Sequence, residues 1–140
     1  MDFTIKEIEN RVRLKLLDTY EENYRFHPTE IFAAIRDGLR MIWNVRPESR
    51  YVNGLLTDKM IRIDNTPSDF VIPESFPATI NGASYDLDQY RKFVVNMEDR
   101  WIEPLVYYVI HQMYLKDDTD TNNATLASTY YSKFTESVRT

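Results

Sequence analysis

The chain has 140 residues, a formal net charge of −5, 43% hydrophobic residues and no cysteine. That length suits one domain able to bury roughly two-thirds of its unfolded surface. The acidic balance argues against a dedicated nucleic-acid binder, which carries a basic stripe, and the missing thiols exclude disulfides, thiolate metal sites and a cysteine nucleophile. The N-terminal residues lack the apolar stretch of a signal peptide, and no run reaches the roughly 18–20 apolar residues of a membrane span. No membrane association is expected, and the composition fits assembly in a reducing cytoplasm. Aromatic residues reach 14%, with 10 Tyr. Tyr suits both a core edge with a wet hydroxyl and an interface with another protein.

Helix one is expected over about residues 5–18. Thr4-Ile5-Lys6-Glu7 has the capping-box pattern, with Phe3 placed to staple against Ile8. Ile5, Ile8, Val12, Leu16 and Thr19 form its inner face, widened by Leu14 and Leu17, while Lys6, Glu9, Arg13 and Asp18 are expected outside. A polar and aromatic loop, 19–27, follows. Helix two is expected over 28–44, with Pro28 at its first position and Glu30 at the positive end of its dipole. Its stripe is Ile31, Ala34, Ile35, Leu39 and Ile42, flanked by Phe32, Gly38 and Trp43. Gly38 in mid-helix costs about 1 kcal/mol relative to Ala, which a close helix crossing would explain.

Residues 48–97 change character. Short β-like runs at 59–63, 69–72, 78–80 and 92–95 alternate with turn signals at Asp64-Asn65-Thr66-Pro67 and Asn81-Gly82. A helical turn is expected around 86–91. This stretch is read as a small antiparallel β insertion and not as a separate domain, because roughly 50 residues make a poor core alone. Helix three is expected over 103–116, where Leu105, Val106, Tyr108, Val109, Ile110, Met113 and Leu115 are apolar nearly all round, so it must be covered on several sides. Helix four, 122–138, carries one stripe of Leu126, Ala127, Tyr130, Tyr131, Phe134 and Val138. The short link between them makes the two pack antiparallel. The fold class is therefore α+β, mainly α: a four-helix core with a small antiparallel β insertion between helices two and three.

Little in the chain reads as catalytic machinery. His27 precedes Pro28 and is read as a helix cap, and His111 as a satisfied core-edge residue; two isolated histidines give no zinc spacing. Asp118-Thr119-Asp120-Thr121-Asn122 opens like a calcium loop, but Asn123 stands where Gly is required and Thr129 where Glu is required. A capped turn explains it better. Phosphate-binding glycine loops, dinucleotide fingerprints and nucleophile elbows are absent from the sequence. Neither a cofactor nor a metal is expected. Glu98, Asp99 and Glu103, with Glu21 and Glu22, supply carboxylates whose default is a solvated face. The most interesting exposed stretch is Arg46-Pro47-Glu48-Ser49-Arg50-Tyr51, which mixes charge, proline and Tyr directly after helix two. Arg46, Glu48, Arg50 and Tyr51, with Phe70 and Ile72 of the insertion, form the candidate protein–protein interface.

Three stretches together resemble the head–tail adaptor (connector) proteins of tailed bacteriophages: residues 26–42, residues 46–51, and residues 103–120 followed by Ala127-Ser128-Thr129-Tyr130-Tyr131-Ser132-Lys133-Phe134. The last is strongest, because the family shows an apolar Leu-Val-x-Tyr helix, then Lys-Asp, then a helix with Ala and Tyr or Phe. The resemblance implies a non-enzymatic virion protein, assembled in the host cytoplasm and placed at the head–tail interface. It implies a ring, usually of twelve copies, docked beneath the portal protein and offering a platform to tail proteins such as nozzle, tail tube or fibres. Genomic DNA would pass through the lumen without specific binding, and an acidic subunit suits such a conduit. Some adaptors carry a long C-terminal extension that reaches under the portal. This sequence ends at Thr140, so portal docking is expected to use loops or the β insertion. The rival readings are another tail-completion protein, a small hydrolase using Glu98, Asp99 or Glu103, and a DNA-binding accessory protein.

Overall fold

The computed structural model describes residues 3–18, 25–69, 72–73, 75–80, 82–116 and 122–139. Two helices come first, α1 (Ile5–Leu16) and α2 (Pro28–Val45). A 3-10 turn, Pro47–Arg50, leads into the insertion. Its strands are β1 (Tyr51–Val52), β2 (Leu55–Leu56), β3 (Ile61–Ile63), β4 (Thr66–Ser68), β5 (Ala78–Ile80) and β6 (Ala83–Tyr85). The short helix α3 (Leu87–Arg91) and strand β7 (Val94–Val95) close it, and α4 (Ile102–Lys116) and α5 (Asn122–Arg139) complete the chain. The expected α+β class holds, mainly helical with small antiparallel sheets. The helices expected third and fourth are α4 and α5.

The helix ends follow their sequence signals. The Thr4 hydroxyl accepts from the Glu7 N–H at 3.1 Å and donates toward the Glu7 carboxylate at 3.3 Å. His27 caps α2 as read, its Nδ1 accepting from the Thr29 N–H at 3.2 Å. Asp86 and Gln89 form a reciprocal capping box on α3, the helical turn expected there. Pro104 sits at the third position of α4, where its missing N–H would have had no intrahelical partner. A 3-10 turn, Asp99–Trp101, leads into that helix.

The sheets are three small antiparallel units, ordered β1-β2, β4-β3-β7 and β5-β6. Asp64 and Asn65 both have positive φ and form the tight β3–β4 turn, so Thr66 and Pro67 belong to β4 and not to the turn as expected. Proline is tolerated there because β4 is an edge. The β run expected at 69–72 does not form at its described ends, Asp69 and Ile72; residues 70 and 71 lie outside the described residues. Thr4 bridges Val94, and the Ile5 N–H donates to Phe93 O at 2.9 Å, so the entry to α1 is tied to the last strand of the insertion.

One hydrophobic cluster joins helices and insertion. At its centre, α4 buries Ile102, Leu105, Val106, Tyr108, Val109, Ile110 and Met113 against α1, α2 and α5. Leu115, expected within this apolar surround, is exposed because α4 ends one residue later. Gly38 lies where α2 crosses α4: a Cβ there would stand 2.8 Å from Leu105 Cδ1 and 3.2 Å from Tyr108 Cδ1. Tyr90 of α3 is fully buried and connects the insertion to α2, its ring 5.2 Å from Phe32 and 5.2 Å from Phe93.

The largest correction concerns α1. Glu9, Arg13 and Asp18, expected outside, are buried, and Arg13 is among the largest fully buried side chains of the described residues. Arg13 Nε donates to Glu9 at 2.9 Å, Nη1 to Asp18 at 2.7 Å and Nη2 to Phe26 O at 3.0 Å. Arg91 of α3 reaches the same Glu9 through Nε at 2.8 Å and Nη2 at 3.0 Å. Asp18 also accepts from the Arg25 and Phe26 N–H groups. Two carboxylates and two guanidiniums cancel in charge, and their hydrogen bonds offset the desolvation each would suffer alone. Leu14 and Leu17, expected to widen the inner face, are instead 64% and 89% exposed. Thr19 lies outside the described residues.

Two outcomes test this packing. Gly38→Val is expected to lower stability by about 1–3 kcal/mol, read as an earlier urea midpoint, because the added carbons overpack the α2–α4 crossing. Arg13→Ala is expected to cost about 3–5 kcal/mol by leaving two buried carboxylates short of a partner. Arg91→Ala should cost less, since Glu9 keeps Arg13; equal losses in the two variants would contradict the shared network.

Candidate protein interface

The stretch after α2 is built as a supported hairpin. Asn53 and Gly54 both take positive φ, at 53° and 80°, forming the two-residue turn between β1 and β2. A two-stranded ribbon is marginal alone, and here its base is clamped. The Thr57 N–H donates to Arg50 O at 2.9 Å, and Arg50 Nε donates back to Thr57 O at 3.2 Å. The Arg50 guanidinium lies 5.5 Å from the Trp43 ring centroid, which fastens the hairpin to α2.

The candidate residues divide by role. Arg46 is a structural anchor: Nε donates to Val138 O and Nη2 to Arg139 O, so it satisfies carbonyls at the C-terminal end of α5. Glu48 is exposed and sits 3.6 Å from Arg46 Nη1. Arg50 supports the hairpin, as described above. Tyr51 is 48% exposed on β1. Ile72 is half-buried and packs on the core, so it offers little outer surface. Phe70 lies outside the described residues.

Two residues of this surface escaped the sequence reading. Leu55 is 74% exposed and Leu56 58% exposed, beside Tyr51 on the same hairpin. Scattered surface leucines need no explanation, but this clamped hairpin exposes a large apolar side chain on each face: Leu56 is paired with Tyr51 on one, and Leu55 with Val52 on the other. The signal was present in Asn53-Gly54 flanked by apolar pairs, the strongest short hairpin pattern.

Of the described carboxylates considered for hydrolysis, Glu98 and Asp99 share a cleft that Glu103 does not line. Glu98 is half-exposed and Asp99 exposed; both line an open cleft of about 350 Å³ with Val52, Asn53, Arg62, Met97 and Arg100. Glu103 is exposed and accepts from the Tyr107 hydroxyl at 2.6 Å. That bond, more than burial, raises the Tyr107 pKa above its usual value of 10.0. Glu21, Glu22 and the turn 117–121, including most of the loop weighed for calcium, lie outside the described residues. Among the described residues no group of three or more His, Asp or Glu is placed to hold a metal ion. His111 is half-buried, its Nδ1–H donating to Ala127 O at 2.8 Å, as a core-edge histidine should. Among the described residues no helix is long and apolar enough to cross a membrane.

A second aromatic-rich surface lies along the α4–α5 seam. Tyr114 stacks on Tyr130 at 5.9 Å, and the Lys133 ammonium lies 4.9 Å from the Tyr130 centroid and 5.8 Å from that of Tyr107. Burial raises the pKa of Tyr114 and of Tyr108. These rings are half-buried or buried and hold the two helices together, whereas the hairpin residues face outward.

No family model, curated protein or solved structure matches the chain.

Two predictions arise here. Arg46→Ala is expected to fray the last turn of α5, raising amide exchange there and lowering stability by about 1–2 kcal/mol. Tyr90 has its pKa raised far above 10.0, chiefly by burial. A raised folded pKa means its contribution is complete below pH of about 10 and is lost as pH rises further. An ultraviolet titration should therefore show a tyrosine fraction that ionises only with alkaline unfolding, and that fraction should shrink in Tyr90→Phe.

Proposed function

We propose that this protein is a structural adaptor that assembles as a ring between the portal and the tail of a bacteriophage. The observation that carries the reading is the clamped hairpin after α2, which presents Tyr51, Leu55 and Leu56 to solvent on a rigid helical base. Exposed apolar side chains held in place suit recognition, since little ordering entropy remains to be lost on binding. The resemblance of residues 26–42, 46–51, 103–120 and 127–134 to the adaptor family supplies the kind of partner: portal on one side, tail proteins on the other, and further copies of the same chain around the ring. The ring is proposed to hold about twelve copies, by that resemblance, with DNA passing through its lumen. The net charge of −5 suits a conduit that does not grip the duplex.

The adaptor reading predicts co-migration with purified portal protein as a stoichiometric complex in size-exclusion chromatography. Tyr51→Ala and Glu48→Lys should each weaken that complex while leaving far-ultraviolet circular dichroism unchanged. Duplex DNA should bind only weakly at physiological salt. Turnover of peptidoglycan or nucleic acid that is abolished by Glu103→Gln would favour the hydrolase reading instead.

A further inference from the structure

We propose that Asn53 is a site of spontaneous covalent modification, where the Gly54 amide nitrogen closes on the Asn53 side-chain carbonyl carbon and the asparagine becomes aspartyl or isoaspartyl. The proposal stands on the β1–β2 turn alone and is independent of the adaptor reading.

Closure of the five-membered ring needs a following residue with no side chain to crowd its nitrogen, an asparagine amide free of hydrogen bonds, and a backbone able to swing. Among the described asparagines, Asn53 alone precedes a glycine. Both residues are exposed, and among the described residues neither the Asn53 side chain nor the Gly54 N–H has a hydrogen-bond partner. A Cβ built on Gly54 would meet nothing within 4 Å, so the turn stands clear of the rest of the fold. The clamp of Arg50 on Thr57 and Trp43 acts at the base of the hairpin and leaves the tip to two strands of two residues each. Asn53 holds a left-handed φ of 53°, which ring closure requires it to leave. Opening so marginal a ribbon at its tip supplies that rotation without disturbing the core. The other asparagines lack these conditions. Asn10 and Asn44 lie inside α1 and α2, where the next N–H is committed to the helix. Asn96 is buried and donates to Lys59 O at 2.9 Å, and Asn123 is buried. Asn65 shares the positive φ but precedes β-branched Thr66. Asn81 also precedes a glycine but lies outside the described residues.

Water is the only co-reactant, and nothing is oxidised or reduced. The Gly54 nitrogen bonds to Asn53 Cγ, the side-chain amide leaves as ammonia, and a succinimide remains. Water then opens one of two bonds to the ring nitrogen. Breaking the bond to Cγ restores the main chain with an aspartate. Breaking the bond to the backbone carbonyl carbon leaves the main chain running through Cγ, an isoaspartyl link. Either product places a new carboxylate beside the cleft that Asn53 lines with Arg62, Glu98, Asp99 and Arg100. The isoaspartyl link also lengthens the turn backbone by one atom. A two-residue turn that matches Val52 to Leu55 and Tyr51 to Leu56 cannot absorb the extra atom, so the strand pairing loosens.

A tryptic map isolates the site: cleavage after Arg50 and Lys59 releases residues 51–59, whereas Asn65 and Asn81 fall together in residues 63–91. The full folded chain is aged in heavy-oxygen water at mildly alkaline pH, beside a sample unfolded in urea, and both are digested and read by mass spectrometry. Peptide 51–59 of the folded chain is expected to gain one heavy oxygen, with isoaspartyl product exceeding aspartyl several-fold, while the peptides carrying Asn10, Asn44 and Asn96 stay unchanged. Asn53→Gln, whose longer side chain would have to close a six-membered ring, should abolish the change in that peptide and leave circular dichroism as it was. An unmodified 51–59 peptide in the folded chain, with reaction in urea, would overturn the proposal, because the turn would then protect Asn53. Aspartyl product alone would overturn the ring closure. The separated isoaspartyl form should exchange the amides of residues 51–56 several-fold faster than the parent; unchanged exchange would overturn the loosened pairing.

Discussion

The constraint on which the structure depends is the burial of α4. Its apolar side chains point nearly all round, so no single neighbour can cover it, and it is stable only inside a shell. Helix α5 covers one side through Ala127, Phe134 and Val138. Helix α2 covers another by a crossing close enough that a Cβ at Gly38 would meet Leu105. Helix α1 covers a third with Ile5, Ile8 and Val12. The insertion contributes Ile61, Tyr90, Phe93 and Met97 to the same cluster, which is why it packs as part of one core.

The polar groups that hold the shell in place are as specific as the apolar ones. Arg13 and Arg91 meet on Glu9 and thereby join α1, α3 and the chain entering α2. Replacing such a network with apolar residues can be neutral or stabilising, whereas removing one member is costly. We read its role as fixing which way the insertion and the α1 end face. Arg50 on Trp43 likewise holds the β1–β2 hairpin against α2. Surface presentation thus follows from core packing, through a short list of guanidinium contacts.

Much of the helical layer was legible in the sequence. Thr4, His27 and Pro28 marked helix starts because caps act locally. Gly38 announced the helix crossing because its cost had to be offset by a tertiary contact. Periodicity failed on α1 for a physical reason: it sorts residues by polarity, and Glu9, Arg13 and Asp18 are polar but paired. The second arginine that pairs Glu9, Arg91, lies 82 residues away, beyond any local pattern. The same rule placed Leu14 and Leu17 inside, when no element among the described residues covers them. In the insertion, turn chemistry was the better guide. Asp64-Asn65 and Asn53-Gly54 both form two-residue turns with positive φ, and the second would have revealed the Leu55–Leu56 surface. Of the five candidate interface residues that the structure describes, Glu48 and Tyr51 are exposed, because exposure depends on the fold of the whole stretch.

The central proposal is that this fold presents surfaces for assembly at a phage head–tail junction. The most direct measurement is cryo-electron microscopy of the purified chain mixed with a phage portal protein. The account predicts density for a closed ring of this subunit directly beneath the portal. A portal that carries no density for the chain would contradict it.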